Sequence, residues 1–193
     1  MMIAVTLQAQ VIIEAGQPSR QIFQQQATWF VDKTGSLSFD QIKESSFIIY
    51  DKKDFIVPKK NENSWARLSL TNKSGQDQEY ILQTGKWGFF EAFITSENTA
   101  TDHLISGSLV PLQLRSQSSN TNAIKIFIGR DENKIIFLKF NPAYSIYMHD
   151  DINLQLVKQT TFEKIDRQRL LWQGLFFGII LVMALYNLFI LLQ

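Results

Sequence analysis

The sequence predicts a mainly β fold, an antiparallel β-sandwich, followed by one long C-terminal transmembrane α-helix. Three observations predict it. Short runs rich in β-branched and aromatic residues recur between turn signals from Val11 to Lys158. Several of those runs alternate with period two, so that Ala66, Leu68 and Leu70 share one face and Trp65, Arg67 and Ser69 the other. Finally, the stretch GLFFGIILVMALYNLFILL, Gly174 to Leu192, carries Asn187 as its only strongly polar side chain.

The chain opens with MMIAVTLQAQ, apolar and then small and polar, which reads as the remnant of a secretory signal over residues 1–10. Residues 11–158 read as one extracytoplasmic β-sandwich domain. Its expected strands are Val11–Glu14, Gln21–Val31, Phe47–Tyr50, Ser64–Thr71, Tyr80–Thr84 and Phe89–Thr95. They continue with Ser108–Arg115, Ala123–Gly129, Lys134–Phe140, Ser145–Met148 and Ile152–Lys158. Ile124, Ile126 and Ile128 repeat the alternation, as do Ile152, Leu154 and Leu156. Many short strands joined by loops favour a sandwich over a βαβ sheet. One short helix is expected at SFDQIKES, where Ser38 and Gln41 have the spacing of a capping box. Asp32-x-x-Gly35 just before it reads as a turn, because a calcium loop needs more oxygen ligands and a terminal glutamate. Arg115–Asn122 is the longest irregular stretch.

No Gly or Pro interrupts the chain from Phe162 to Gln173. Residues 159–170 therefore read as a juxtamembrane helix that runs into a membrane span over 171–193. Nineteen residues make a rod of roughly 28 Å, the thickness of a hydrocarbon core. Trp172 lies where an interfacial aromatic belongs. Gly174 and Gly178 form a G-x-x-x-G that admits a neighbouring helix, and Asn187 falls on the opposite face. Two protein-facing sides suit a bundle, so further transmembrane helices are expected as partners beside the lipid bilayer. The chain stops at Gln193, with no residues for the far side of the membrane, and looks cut. Lys158, Lys164, Arg167 and Arg169 precede the span, a bias that by itself favours a cytoplasmic N-terminal side.

Composition removes several classes of function. Lys+Arg 19 against Asp+Glu 18 leaves a formal net charge of +1, no basic field for nucleic acid. There is no cysteine, hence no disulfide framework and no thiolate metal site. The two histidines, His103 and His149, stand apart without an orienting carboxylate motif. Asp150 and Asp151 beside His149 read as a turn, and no glycine loop for phosphate occurs. No catalytic residue, metal or cofactor is expected.

Three stretches together, ATWFVDKTGSLSFDQIKESSF, SWARLSLTN and EYILQTGKWGFFEAFIT, resemble the extracellular domain of bacterial seven-transmembrane receptors with diverse intracellular signalling modules. The W-x-R-x-x-L-x-N pattern stands here as Trp65 to Asn72. The following helix is similar too, at Gly174, Gly178, Leu185, Tyr186 and Asn187. The resemblance covers Val11 to Gln193 and departs in lacking six helices and an output module. It implies a jelly-roll-like sandwich similar to carbohydrate-binding modules, placed outside the bacterial inner (cytoplasmic) membrane with residues 11–170 on the periplasmic or extracellular side. It implies a ligand-sensing role, with a small molecule or carbohydrate as ligand. A second copy of the chain is a further candidate partner. The alternative is a membrane-anchored binding or adhesion module without signalling output.

Sugar recognition combines an aromatic stacking face with planar polar side chains. The ligand-binding candidates are therefore Trp87, set between glycines where a turn would expose its ring, with Glu91, Arg67, Tyr144 and Tyr147. The competing reading of Trp87 is a core aromatic. Trp65 and Phe90 are assigned to the scaffold. Gly174, Gly178, Tyr186 and Asn187 are the candidates for helix packing in the membrane.

Overall fold

A computed structural model describes residues 10–16, 19–22, 26–49, 61–85, 87–96, 99–117, 122–144 and 154–192. The chain divides into two compact units, Met1–Lys158 and Gln159–Gln193. Of the signal-like start, only Gln10 is among the described residues, and it already belongs to a strand.

The first unit is a β-sandwich. The elements in order are β1 (Gln10–Ile13), β2 (Ser19–Ile22), β3 (Thr28–Asp32), α1 (Phe39–Lys43), β4 (Ile48–Ile49) and β5 (Asn63–Asn72). There follow β6 (Gln78–Gln83), β7 (Phe90–Ser96), β8 (Thr99–Ser106), β9 (Ala123–Ile128), β10 (Asn133–Phe140) and β11 (Leu154–Lys158). Among the described residues one sheet has the order β4-β3-β5-β10-β7-β8, with β1 also on β5, and the other the order β2-β11-β6-β9. Pairing is antiparallel throughout except between β1 and β5. β1 and β3 share one edge of β5, β1 on Ser69–Asn72 and β3 on Asn63–Arg67.

The alternation read in the sequence sets which side chains meet. Ala66, Leu68 and Leu70 of β5, Ile136, Leu138 and Phe140 of β10, and Phe90, Ala92 and Ile94 of β7 face Leu82, Ile124, Ile126, Ile128, Leu154 and Leu156 of the other sheet. All are buried, and they form the core between the sheets. β5 is buried on its second face as well. There Trp65 and Phe137 join Ile42 of α1, with Phe30, Leu37, Phe39, Phe47, Phe93 and Ile135 packed around them. The outer face of the larger sheet thus carries its own small aromatic core, roofed by α1.

The segment that supplies α1 is fixed by two local devices. The Asp32 carboxylate accepts hydrogen bonds from the Thr34 amide (2.9 Å), the Thr34 hydroxyl (2.6 Å), the Gly35 amide (3.0 Å) and the Leu37 amide (3.1 Å). Burial pushes this carboxyl up, but those bonds outweigh it and hold the group below the usual aspartate range. Gly35 has a φ of 65°, and a Cβ there would meet the Asn61 carbonyl at 2.3 Å. Ser38 then caps α1, its amide bonded to the Gln41 side chain at 2.9 Å and its hydroxyl accepting from the Gln41 amide at 3.4 Å. D-x-x-G is the turn before the helix, and the capping box is formed.

The end of the sandwich where β11 finishes is pinned by side chains. Asn72 donates to the carbonyls of Gln76 (2.7 Å), Ile128 (3.2 Å) and Gly129 (2.9 Å), and accepts from the Ser74 amide and hydroxyl. Glu132 accepts from the Gly129 amide at 2.7 Å and the Ser96 hydroxyl at 2.7 Å. Burial raises the Glu132 carboxyl, yet these bonds and Lys134 hold it below its ordinary value.

Two strand expectations change, and one strand appears that was not expected. Gln21–Val31 is not one strand, because β2 and β3 lie in different sheets. Ser108–Arg115 forms no strand: Gly107 turns the chain with a φ of 132°, Pro111 supplies no ladder donor, and Leu112–Leu114 closes as a 3-10 turn. β8 stands instead at Thr99–Ser106, a polar run without apolar alternation. Ser145–Met148, like Tyr50 and Ile152, lies outside the described residues.

The second unit is α2 (Gln159–Leu191), a single 33-residue helix. It is long and apolar enough to cross a membrane, by length and composition. Gln159 bonds to Glu163 at 2.7 Å and Arg169 pairs with Asp166 one turn earlier. Gly174 and Gly178 leave open space where a Cβ would be. Tyr186 and Asn187 are exposed on the isolated helix.

Candidate functional site: an aromatic and charged outer face and a loop end

Strand register lays the outer face of the larger sheet out as rows. One row runs Phe30, Trp65, Lys139, Glu91 and Ile105 across β3, β5, β10, β7 and β8. The next runs Thr28, Arg67, Phe137, Phe93 and His103. Directly opposed side chains in antiparallel strands lie close enough to interact. Two cations accordingly lie over neighbouring rings, Arg67 over Phe137 and Lys139 over Trp65, each at 5.7 Å.

Glu91 is the hinge of the charged group. One carboxylate oxygen meets Lys139 Nζ at 2.8 Å and the other meets His103 Nε2 at 2.9 Å. The imidazole is further held by stacking on Phe93, with ring centroids 4.4 Å apart and planes 4° from parallel. Phe93 in turn stacks on Phe39 of α1 at 4.3 Å and 8°. The result is a column of three parallel rings whose last member, His103, stands on the outermost strand of the sheet among the described residues. Its side chain is 50% exposed.

A second concentration of aromatic and apolar groups lies at the end of the sandwich opposite Lys158. There the Gly88 amide bonds to the Tyr144 carbonyl at 2.8 Å, and the Leu109 amide to the Gly88 carbonyl at 2.7 Å. Phe89 meets Tyr144 edge-on at 5.5 Å. Gly88 and Gly107 pack backbone to backbone, and a Cβ on Gly107 would sit 2.3 Å from the Gly88 carbonyl oxygen. Leu109, Leu112, Leu114 and Tyr144 are exposed around this stitch.

The structure divides the binding candidates between these two places. Trp87 and Tyr144 both lie at the loop end, whereas Arg67 and Glu91 lie on the outer face two strands apart. Tyr147 is outside the described residues. The glycines beside Trp87 do not expose its ring, which is 5% exposed and packs on Phe140 at 4.9 Å. Their lack of side chains allows close backbone approach instead. Asn122 Nδ2 and the Ser108 amide both donate to the Trp87 carbonyl, which folds the indole inward. Trp65 and Phe90 are buried scaffold residues, as expected.

His103, Lys139, Phe93 and Phe39 escaped the sequence reading. The signal was present in Thr101, His103 and Ile105 alternating with Asp102, Leu104 and Ser106, but it lies in a run too polar to declare a strand. Among the described residues no group of three or more His, Cys, Asp or Glu side chains is placed to hold a metal ion.

Residues 24–152 match the family model described as 7TMR-DISM extracellular 2. No curated protein matches the chain.

Proposed function

The chain belongs to the 7TMR-DISM extracellular 2 family, a family of receptor domains rather than enzymes, and on that premise we propose that it is the ligand-sensing extracytoplasmic portion of a bacterial inner-membrane receptor, with a carbohydrate as ligand. One observation carries the signalling part of the reading. β11 ends at Lys158 and α2 begins at Gln159, with no residue between them. β11 is an interior strand, paired to β2 on one side and β6 on the other. From Leu154 to Gln173 the chain contains neither Gly nor Pro. In this reading a displacement of the smaller sheet is passed along the chain into the helix. A passive anchor has no use for such a connection. In the bilayer, Gly174, Gly178, Tyr186 and Asn187 are proposed to pack against further helices of the same receptor, where Asn187 finds a hydrogen-bond partner.

The test uses the absence of native cysteine. Ile165→Cys, at an exposed position of α2, carries a nitroxide label in the chain reconstituted into lipid nanodiscs. Maltotriose, cellotriose and laminaritriose are then added in turn. A change in the spectral line shape that disappears when two glycines are inserted between Lys158 and Gln159 supports the sensor. A sugar that binds without altering the label in either chain identifies a passive module instead.

A further inference from the structure

We infer that the exposed side of His103, with Thr101 and Ile105 beside it on β8, is a binding subsite for one neutral pyranose ring of a carbohydrate ligand; this rests on the sensor reading above and locates its recognition surface. Four features lead there. The first is the ring column Phe39–Phe93–His103. One face of the imidazole is occupied by Phe93 at 4.4 Å, β8 is the terminal strand among the described residues, and none of those residues places a ring on the other face. A flat ligand face would continue the column, in the offset or parallel contact that π faces favour.

The second feature is that the imidazole plane is fixed. The Lys139–Glu91–His103 relay at 2.8 and 2.9 Å engages both carboxylate oxygens, so Glu91 acts as a positioning residue for His103 rather than as a ligand contact. With Nε2 bonded to Glu91, Nδ1 remains available to bond a ligand hydroxyl. The third is the character of the neighbours. Residues two apart on a strand share a face, which places the exposed Thr101 hydroxyl on one side of the ring and the half-buried Ile105 on the other. A hydroxyl, an apolar side chain, a ring face and one imidazole nitrogen match the mixed polar and C–H surface of a pyranose. Glu91 is compensated by Lys139, so no uncancelled charge on this relay calls for an ionic ligand.

The fourth feature excludes the obvious competitor, a β-strand added to the free edge of β8. Asp102 is opposite Ile94, on the core-facing side of the sheet, and is exposed. A charge pointing along the core face of an edge strand blocks strand addition. The margin of the sheet is therefore closed to another chain while its outer face at His103 remains open to a small molecule.

The chain contains two histidines, His103 and His149, so selective 15N-histidine labelling gives two imidazole spin systems. In nanodiscs, with maltotriose, cellotriose and laminaritriose as probes at millimolar concentration, the His103 resonances should shift saturably. Those of His149, assigned with His149→Gln, should not. His103→Ala and Thr101→Val should each weaken binding about tenfold, the scale of losing one good contact, and His103→Phe should fall between wild type and His103→Ala. Thr101→Val keeps the test decisive if His103→Ala does not fold. A sugar that binds with unchanged Kd in both variants overturns the subsite and leaves carbohydrate sensing standing. No binding of any of the three sugars overturns both the subsite and carbohydrate as the ligand class.

Discussion

Trp87→Phe should be nearly neutral for the β-domain, whereas Trp87→Ala should cost about 3–5 kcal/mol, the usual range for emptying a large aromatic site in a core. The indole is 5% exposed and packs against Phe140 at 4.9 Å. Its N–H is buried and has no hydrogen-bond acceptor among the described residues. Replacing indole by phenyl removes on the order of 40 Å² of apolar contact, about 1 kcal/mol at roughly 25 cal/mol per Å². It also removes the orphaned donor, whose desolvation penalises the folded state by about 1–3 kcal/mol. The two effects offset, and Phe should fall within about 1 kcal/mol of wild type. Pulse proteolysis across a urea series, on the chain in dodecyl maltoside micelles, reads the Cm without relying on tryptophan emission. A loss above about 2 kcal/mol in Trp87→Phe would mean that the indole N–H has an acceptor after all. A loss below about 1 kcal/mol in Trp87→Ala would mean that the ring is not part of the core.

Two further outcomes follow from groups near the ends of the sandwich. Asp32 and Glu132 both titrate below their ordinary values when folded, so the stability they add is fully present above about pH 4.5 and is lost as the pH falls through their folded-state values. Unfolding followed between neutral pH and pH 2 should show this loss, and Asp32→Asn should flatten part of it; an unchanged pH slope would contradict the hydrogen-bonded turn. Ser38→Ala should cost about 1 kcal/mol by breaking the capping box, with faster hydrogen exchange at the Ile42 amide, which bonds to the Ser38 carbonyl at 3.1 Å; unaltered exchange there would contradict the cap.

Much of the scaffold was legible because it rests on local rules. The alternation in β5 and β9 identified the core faces, and the Ser38–Gln41 spacing identified α1. Some failures arise because the deciding information lies across the sheet, others because a local backbone feature was underweighted. Nothing in Gln21–Val31 says that its two halves pair with different partners, β11 and β5. The apolar residues of Ser108–Arg115 suggested a strand, but Gly107 and Pro111 decide the backbone there, and Leu109, Leu112 and Leu114 are exposed. β8 went unseen because an edge strand needs little hydrophobicity when its pairing comes from β7. Of the candidate site, Glu91 was named from the sequence as a hydrogen-bonding group for a ligand, but its partners Lys139 and His103 stand 48 and 12 residues away and meet it only through register. Trp87 misled because glycines around an aromatic also signal tight backbone packing.

The Asn72 amide, tied to three carbonyls at the end where β11 finishes, has a consequence for how such a receptor diversifies. The joints of that end are made by a few backbone-directed side chains, so exchanging Asn72 or Glu132 unfastens backbone rather than surface. Substitutions at the exposed positions Thr101, His103 or Leu109 leave untouched the Asn72 bonds that join the turn after β5 to the end of β9. On the proposed subsite, ligand preference can thus drift among descendants while that end of the sandwich keeps its backbone joints.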